Sequence, residues 1–432
     1  MLRKPPTLAL LLAVCWGAAA QSPPAPLTLT LPEALERAKA VSQQLLSADI
    51  SARLAHEDKV QAKAAMLPSV NWLNGYTFTQ NNGSDTGVYV SNNGQHVYTN
   101  QANVHADVFA PAKRAEYQIA IAAEAAARAK VDIAARGLVA TVIQNFYGTA
   151  IAQRHYRNAQ RSLKESEDFV EITRKQEAGG EAAHSDVVKA QLTLDQRQRD
   201  VQEGQLAYDK ARIGFAVFLF QDFRQDFTVT DDLDKLTPLP AFPEVARMAT
   251  NSNPDLRAAQ ATITQQTYGV QSARADRLPT FSVDYFFGLN SNQYTWNTPT
   301  GQTNVGSSVV ASLNVPVWNW GALNSKVKQA ELRLQQARTD LTFTQRQLLS
   351  NLNSYYLEAN VASSQMASLK HSLDLSDESL KLTLLRYEAG EVSVLEVVDA
   401  QSTLLGARNA YDDGLARYRL SLAALQTLTG AF

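Results

Sequence analysis

Cysteine is almost missing from this 432-residue chain: there is one, Cys15. It lies inside an apolar run, Leu8–Ala20, that follows Arg3 and Lys4 and ends in Ala18-Ala19-Ala20. A basic start, a short apolar run and small residues at its end are the pattern of a cleaved export signal over residues 1–20. The run falls short of the ~20 residues a membrane-spanning helix needs. Cys15 as a lipid-anchor site is a weaker reading, since Val14 stands where a small residue is wanted. Without Cys15 the mature chain has no disulfide, thiolate metal site or cysteine nucleophile. No later segment is an apolar run of membrane-helix length, and mean hydropathy is −0.24. Glycine (20) and proline (15) are too few for a collagen-like or low-complexity chain. Charge of one sign is also lacking: 40 Lys+Arg stand against 42 Asp+Glu, so there is no basic footprint for nucleic acid. The six histidines show no metal-ligand spacing, and Gly179-Gly180 is not followed by the Lys-Ser/Thr of a phosphate loop. Neither an enzyme nor a cofactor or metal site is therefore expected.

What the chain does have is itself, twice. Pro32-Glu33 returns as Pro243-Glu244 and Leu67-Pro68 as Leu278-Pro279, both at an offset of 211. Val108 and Phe109 match Val317 and Trp318, and Tyr147 matches Tyr356, at 209. Gly180-Glu181, Val187-Val188, Ala190-Gln191 and Thr193-Leu194 recur from Gly390-Glu391 to Thr403-Leu404 at 210. Ordered landmarks at nearly one offset indicate an internal duplication. It divides the mature chain into repeat 1 (21–220), a linker (221–240) and repeat 2 (241–432).

Each repeat reads as helix, strand, strand, long helix, helix. The first helices are expected over 32–66 and 243–277, with Thr30 and Glu33 at capping-box spacing. The long helices are expected over 112–178 and 322–389, and the last over 185–218 and 393–428. A proline-free stretch of that size forms a helix roughly 100 Å long. The 3,4 spacing of Leu404, Tyr411, Leu415, Tyr418, Leu422 and Leu425 is that of a coiled-coil seam. A short strand is expected near Phe227–Val229 in the linker.

Four segments alternate with period two: 69–80, 99–109, 280–289 and 308–317. Val70, Trp72, Val104, Val283, Tyr285 and Val309 fall on one face. Asn71, Asn103, His105, Asp107, Asp284 and Ser312 fall on the other. About ten residues is the length of a tilted strand crossing an outer membrane, and the polar connectors 81–98 and 290–306 resemble extracellular barrel loops. Four strands cannot close a barrel, and an open edge cannot sit in lipid. Two copies give eight strands and three give twelve; the polar face favours the wider, water-filled barrel. His105, Asp107 and Asp284 are thus candidate lumen residues. A soluble sheet beside a coiled coil would instead need a helix to cover its aromatic face.

Taken together, Leu29-Thr30-Leu31-Pro32-Glu33-Ala34-Leu35, Ala64–Val70, Asn253-Pro254-Asp255-Leu256, Val315-Pro316-Val317-Trp318 with Gly321, Tyr387-Glu388-Ala389-Gly390-Glu391 and Glu396–Gln401 resemble the TolC family of outer-membrane efflux proteins. The resemblance covers nearly the whole mature chain. It implies a mainly α protein with a membrane β-barrel: a homotrimer with a 12-stranded barrel in the outer-membrane lipid above a long α-helical barrel in the periplasm. It implies a passive conduit whose partners are a periplasmic adaptor and an inner-membrane transporter. The alternative is an adaptor or coiled-coil scaffold without a pore, which would need one hairpin flanked by compact β-domains. In the family an acidic pair and a tyrosine lie near the periplasmic constriction. Glu396 and Asp399 match the pair and Tyr387 the tyrosine, with Asp186 the repeat-1 acid. Residues three apart share a helix face, although Ser393 and Glu396 also have capping-box spacing and Tyr387 also suits coiled-coil packing. Val392 stands where some members carry a locking arginine, and Lys189 stands in repeat 1 where Asp399 stands in repeat 2. Gly179, Gly180 and Gly390 are the expected hairpin-tip turns. The exported substrate is not specified by the sequence.

Overall fold

The computed structural model describes residues 27–79, 95–235 and 237–430. The expected signal peptide and most of the first long connector lie outside the described residues. The elements are β1 (Leu27–Leu29), α1 (Leu31–Val41), α2 (Gln43–Ala64), β2 (Ser69–Phe78), β3 (His96–Phe109), α3 (Pro111–Gly179), α4 (His184–Leu219), β4 (Phe227–Val229), α5 (Phe242–Ser252), α6 (Pro254–Ala275), β5 (Thr280–Ser291), β6 (Val305–Asn314), α7 (Ala322–Glu388) and α8 (Val394–Thr429).

The first helix of each repeat is not continuous. The expected helix 32–66 breaks at Ser42, which leaves helical geometry and whose Oγ accepts the Leu45 N–H at 3.2 Å. The expected helix 243–277 breaks at Asn253, whose Oδ1 accepts the Leu256 N–H at 3.1 Å ahead of Pro254. Both are N-caps that restart a helix. They stand 211 residues apart, so the break belongs to the duplicated unit. At the start of α1 the Thr30 N–H donates to Glu33 Oε2 at 3.0 Å, closing the expected capping box.

Two strand boundaries also differ from expectation. β3 begins at His96, inside the expected connector. β6 spans 305–314 rather than 308–317. It starts early because Asn304 and Trp296 extend the hairpin (N–H to carbonyl, 2.8 Å), and it ends before Pro316, which has no N–H to pair. β1, not foreseen in the sequence, pairs in parallel with β4.

Four strands form one antiparallel sheet in the order β2-β3-β5-β6. Near the sheet the helices lie side by side as α2-α3-α6-α7; farther away, as α4-α3-α8-α7. In all three layers a repeat-1 element is one edge and a repeat-2 element the other. Phe146, Phe215, Phe227, Leu29 and Leu233 form a buried core where α1, α3 and α4 meet the β1–β4 ribbon. There Arg154 on α3 holds Asp231 and Asp234 of the linker (2.7 Å each) and Asp412 of α8 (3.0 Å). Burial opposes its charge, but these bonds outweigh burial and raise its pKa above the ordinary arginine value.

Candidate functional site: the sheet and the helical tip

Period-two alternation gives the sheet two chemically distinct faces. One row across all four strands is Val70–Val104–Tyr285–Val309; the next is Ser69–His105–Asp284–Val310. Val70, Trp72, Val309 and Leu313 on the apolar face are each at least 66% exposed, whereas Asn103 on the polar face is 7% exposed. The edge strands β2 and β6 are open on both faces along nearly their whole length, so the broad apolar face stands uncovered in the protomer, as the lipid-facing side of a barrel wall does.

All three lumen candidates meet on the polar face. His105 Nδ1 lies 2.9 Å from Asp284 Oδ1, and its Nε2 lies 3.6 Å from Asp107. Two further residues join them, Asn103 from the expected polar face and Lys113, which was not foreseen. Asn103 donates to Asp284 at 3.2 Å, and Lys113 pairs with Asp107 while donating to the Ala65 carbonyl at 3.0 Å. Alternation puts Asn103 on this face; Lys113, beyond the strand, has no comparable signal in the sequence.

The tip at the other end is built from two duplicated turns. Gly180 (φ +79°) and Gly390 (φ +74°) take the left-handed conformation that ends a helix. The Glu181 N–H reaches back to the Gln176 carbonyl (2.8 Å) and the Glu391 N–H to that of Arg386 (2.9 Å). Gly179, expected in the turn, is instead the last residue of α3.

The four aperture candidates separate. Glu396 and Asp399 are exposed on one face of α8, beside a groove of about 460 Å³ that also includes Leu395 and Ser402. Glu396 also accepts the Ser393 N–H at 3.4 Å, so cap and exposed carboxylate coexist. Asp186 is half-buried at the start of α4. Tyr387 is 4% exposed, edge-on to Phe169 at 5.1 Å, and is a packing residue of the protomer. Burial pushes its phenol pKa up, and the Asp186 carboxylate adds to this.

Val392 packs against the same apolar cluster and offers no charge to lock the tip. Other contacts join the two hairpins. Gln176 donates to the Tyr387 carbonyl (3.1 Å) and Gln401 to the Glu165 carbonyl (3.2 Å); Arg408 pairs with Glu165 (2.8 Å), and Arg197 donates to Ser402 (2.8 Å). None was legible beforehand, because cross-helix partners some 200 residues apart leave no spacing signature.

Residues 34–217 and 245–431 match a family model described as Outer membrane efflux protein. The chain belongs to the outer membrane efflux protein family. The unmatched segment between the two stretches contains β4, Asp231 and Asp234. Outer membrane protein TolC of Vibrio cholerae serotype O1 is 23% identical over 418 residues, 93% of this chain and 90% of that one. The match to outer membrane protein TolC of Escherichia coli K12, also 23%, is confined to 169 residues, 37% of this chain and 34% of that protein. Among solved structures, the outer membrane protein VceC of Vibrio cholerae superposes with a TM-score of 0.82 at 18% identity, covering 93% of this chain and 96% of that one. As a member of this family, the chain is an outer-membrane protein.

Proposed function

We propose that this chain is the exit duct of a tripartite export system, a homotrimeric passive conduit that performs no chemical step. The observation that carries this reading is the sheet with its apolar face uncovered and unpaired edges at β2 and β6. An open edge leaves N–H and C=O groups unpaired in lipid. Three copies joined β2 to β6 make a closed, 12-stranded barrel wide enough for water. The helical layers share that edge arrangement, so the same threefold axis closes them into a tunnel beneath it. Leu46, Ile50 and Leu54 form an exposed stripe on α2, and Phe343, Leu349 and Leu357 are exposed on α7; closure covers both.

The tunnel end at Gly180 and Gly390 is the docking end for a periplasmic adaptor and an inner-membrane transporter, which deliver the substrate and set its identity. Glu396 and Asp399 line the aperture there. Tyr387 acts in gating by holding the two hairpins together, so opening requires its contact with Phe169 to change. A pore-less scaffold lacks the property that decides the matter, conductance. Outer-membrane extracts in mild detergent are expected to give a trimer by light scattering and single channels in planar bilayers. A monodisperse monomer in detergent-free buffer would falsify the conduit.

A further inference from the structure

The duplication supplies an internal template for an interface between copies. α1 and α5 each have 11 residues, α2 and α6 each 22, and α4 and α8 each 36. The offset is 211 for the first two pairs and 210 for the third. In the long helices Ala127-Arg128 and Arg136-x-Leu138 recur as Ala337-Arg338 and Arg346-x-Leu348, again at 210. The buried pairs Leu138/Leu348 and Val142/Leu352 follow the same register. In it Phe146, rather than Tyr147, matches Tyr356.

Within one chain, α3 of repeat 1 clamps the ends of two repeat-2 helices. Arg136 enters the cleft between the C-termini of α5 and α8. Nη2 donates to the Ser252 carbonyl at 2.7 Å, and Nη1 donates to those of Leu428 and Thr427 at 3.3 and 3.4 Å. Terminal helix carbonyls lack intrahelical partners and sit at the negative end of the dipole, so a guanidinium satisfies both needs.

The equivalent cleft in repeat 1 lies between the C-termini of α1 and α4. The counterparts of Ser252, Thr427 and Leu428 there are Val41, Val217 and Phe218. All three line an open groove of about 770 Å³ whose lining includes no charged side chain. The counterpart of Arg136 is Arg346, on α7 at the opposite edge of the protomer. It is exposed and, among the described residues, has no hydrogen-bond or ion-pair partner. One chain therefore holds an unfilled arginine cleft at one edge and an unused arginine at the other.

We propose that Arg346 of one copy seats in this groove of the next, donating to the Val41, Val217 and Phe218 carbonyls. The inference rests on the trimeric reading above and adds the residue and register that join the copies. Two of the groove's rings are already engaged within the chain, Phe220 by Arg37 and Phe223 by Arg224 at 5.5 and 5.7 Å from the ring centres, so the helix-end carbonyls, not the rings, are what the incoming guanidinium takes. Six arginine clamps then circle the assembly, Arg136 within each copy alternating with Arg346 between copies. Arg136 serves the fold of one chain; Arg346 serves assembly alone.

A second internal contact fixes the cross-linking site. Arg257 on α6 pairs with Asp132 on α3 at 2.7 Å; their counterparts are Leu46 on α2 and Thr342 on α7. Leu46→Cys plus Thr342→Cys, treated with a short bismaleimide in outer-membrane vesicles, is expected to give a covalent trimer on denaturing gels. Neither single variant should. Arg346→Ala is expected to lower the temperature at which the detergent-solubilised trimer dissociates, without changing the helical content of the protomer. Arg346→Lys should recover part of the shift, because it keeps the charge but not the fork of donors. A trimeric double-cysteine variant that gives no cross-link, or an Arg346→Ala trimer as heat-resistant as the parent, overturns this interface and leaves the conduit standing. A monomeric parent overturns both.

Discussion

His105 on β3 and Asp284 on β5 face one another across the join between the two repeats, Nδ1 to Oδ1 at 2.9 Å. They are direct partners in the β3–β5 ladder, and the register of that ladder sets the face every other side chain takes. A slip of one residue would carry Asp284 to the lipid side. Val283, one residue earlier, lies on the apolar face, and Ser282 shares the polar face with Asp284. Val283→Arg should therefore cost roughly 2–4 kcal/mol near the bilayer midplane, while Ser282→Arg, beside Asp107, should cost far less. Urea titration of the refolded barrel in vesicles compares the two; equal penalties would show that the faces are misassigned.

Gly288 tests the sheet from the backbone side. Its φ is +148°, and a Cβ there would overlap the Asn100 carbonyl and the Gln101 backbone of β3. Gly306, its partner on β6, has no positive φ and open space around it. Gly288→Ala should lose about 1–3 kcal/mol from backbone strain and more from the overlap, lowering barrel yield. Gly306→Ala should fold as the parent does. The yield of heat-modifiable barrel on cold gels distinguishes them.

Alternation in the strands was legible because neighbours i and i+2 lie close in sequence, and so were the tip glycines and the Thr30 cap. The break at Ser42 was missed because a serine resembles an ordinary polar helix position until its side chain is seen to cap, whereas the break at Asn253 was open to reading, since a residue before proline is pushed out of helical geometry. At the tip, Glu396 and Asp399 could be placed on one face from their spacing of three, but the burial of Tyr387 against Phe169 depends on a partner over 200 residues away. Arg154 shows the same limit: its three aspartates come from the linker and from α8, and no local pattern joins them.

Arg154 predicts where the equatorial region is most sensitive. The Arg154 side chain is 12% exposed and that of Asp412 is 10% exposed. Removing the cation strands a nearly buried carboxylate, so Arg154→Met should destabilise by about 3–5 kcal/mol. Asp234, at 65% exposure, is a surface partner, and Asp234→Asn should cost at most about 1 kcal/mol. Thermal unfolding of the detergent-solubilised protein checks both. An Arg154→Met variant as stable as the parent would mean that the cluster does not hold the linker to the helices.

The aperture gives the test closest to function. Glu396 and Asp399 are exposed one turn apart on α8, immediately beyond the Gly390 turn. Threefold symmetry would repeat each carboxylate around the axis, and such a ring favours cations. A trivalent cation added on the periplasmic side of a planar bilayer should then block single-channel current, and the block should be weaker from the other side. Glu396→Ala plus Asp399→Ala should abolish it. Asp284→Ala, in the barrel, should leave it unchanged. Because Glu396 also accepts the Ser393 N–H, its loss removes part of a helix cap, worth about 1 kcal/mol. Glu396→Gln with Asp399→Asn separates the two effects, since the amides keep acceptors but carry no charge. Relief of block by the amide pair assigns it to charge. If the amide pair stays blocked while the alanine pair is relieved, disruption of the tip accounts for the change. If even the alanine pair is blocked as strongly as the parent, the carboxylates do not line the constriction, and Glu396 is a helix cap whose exposure faces elsewhere.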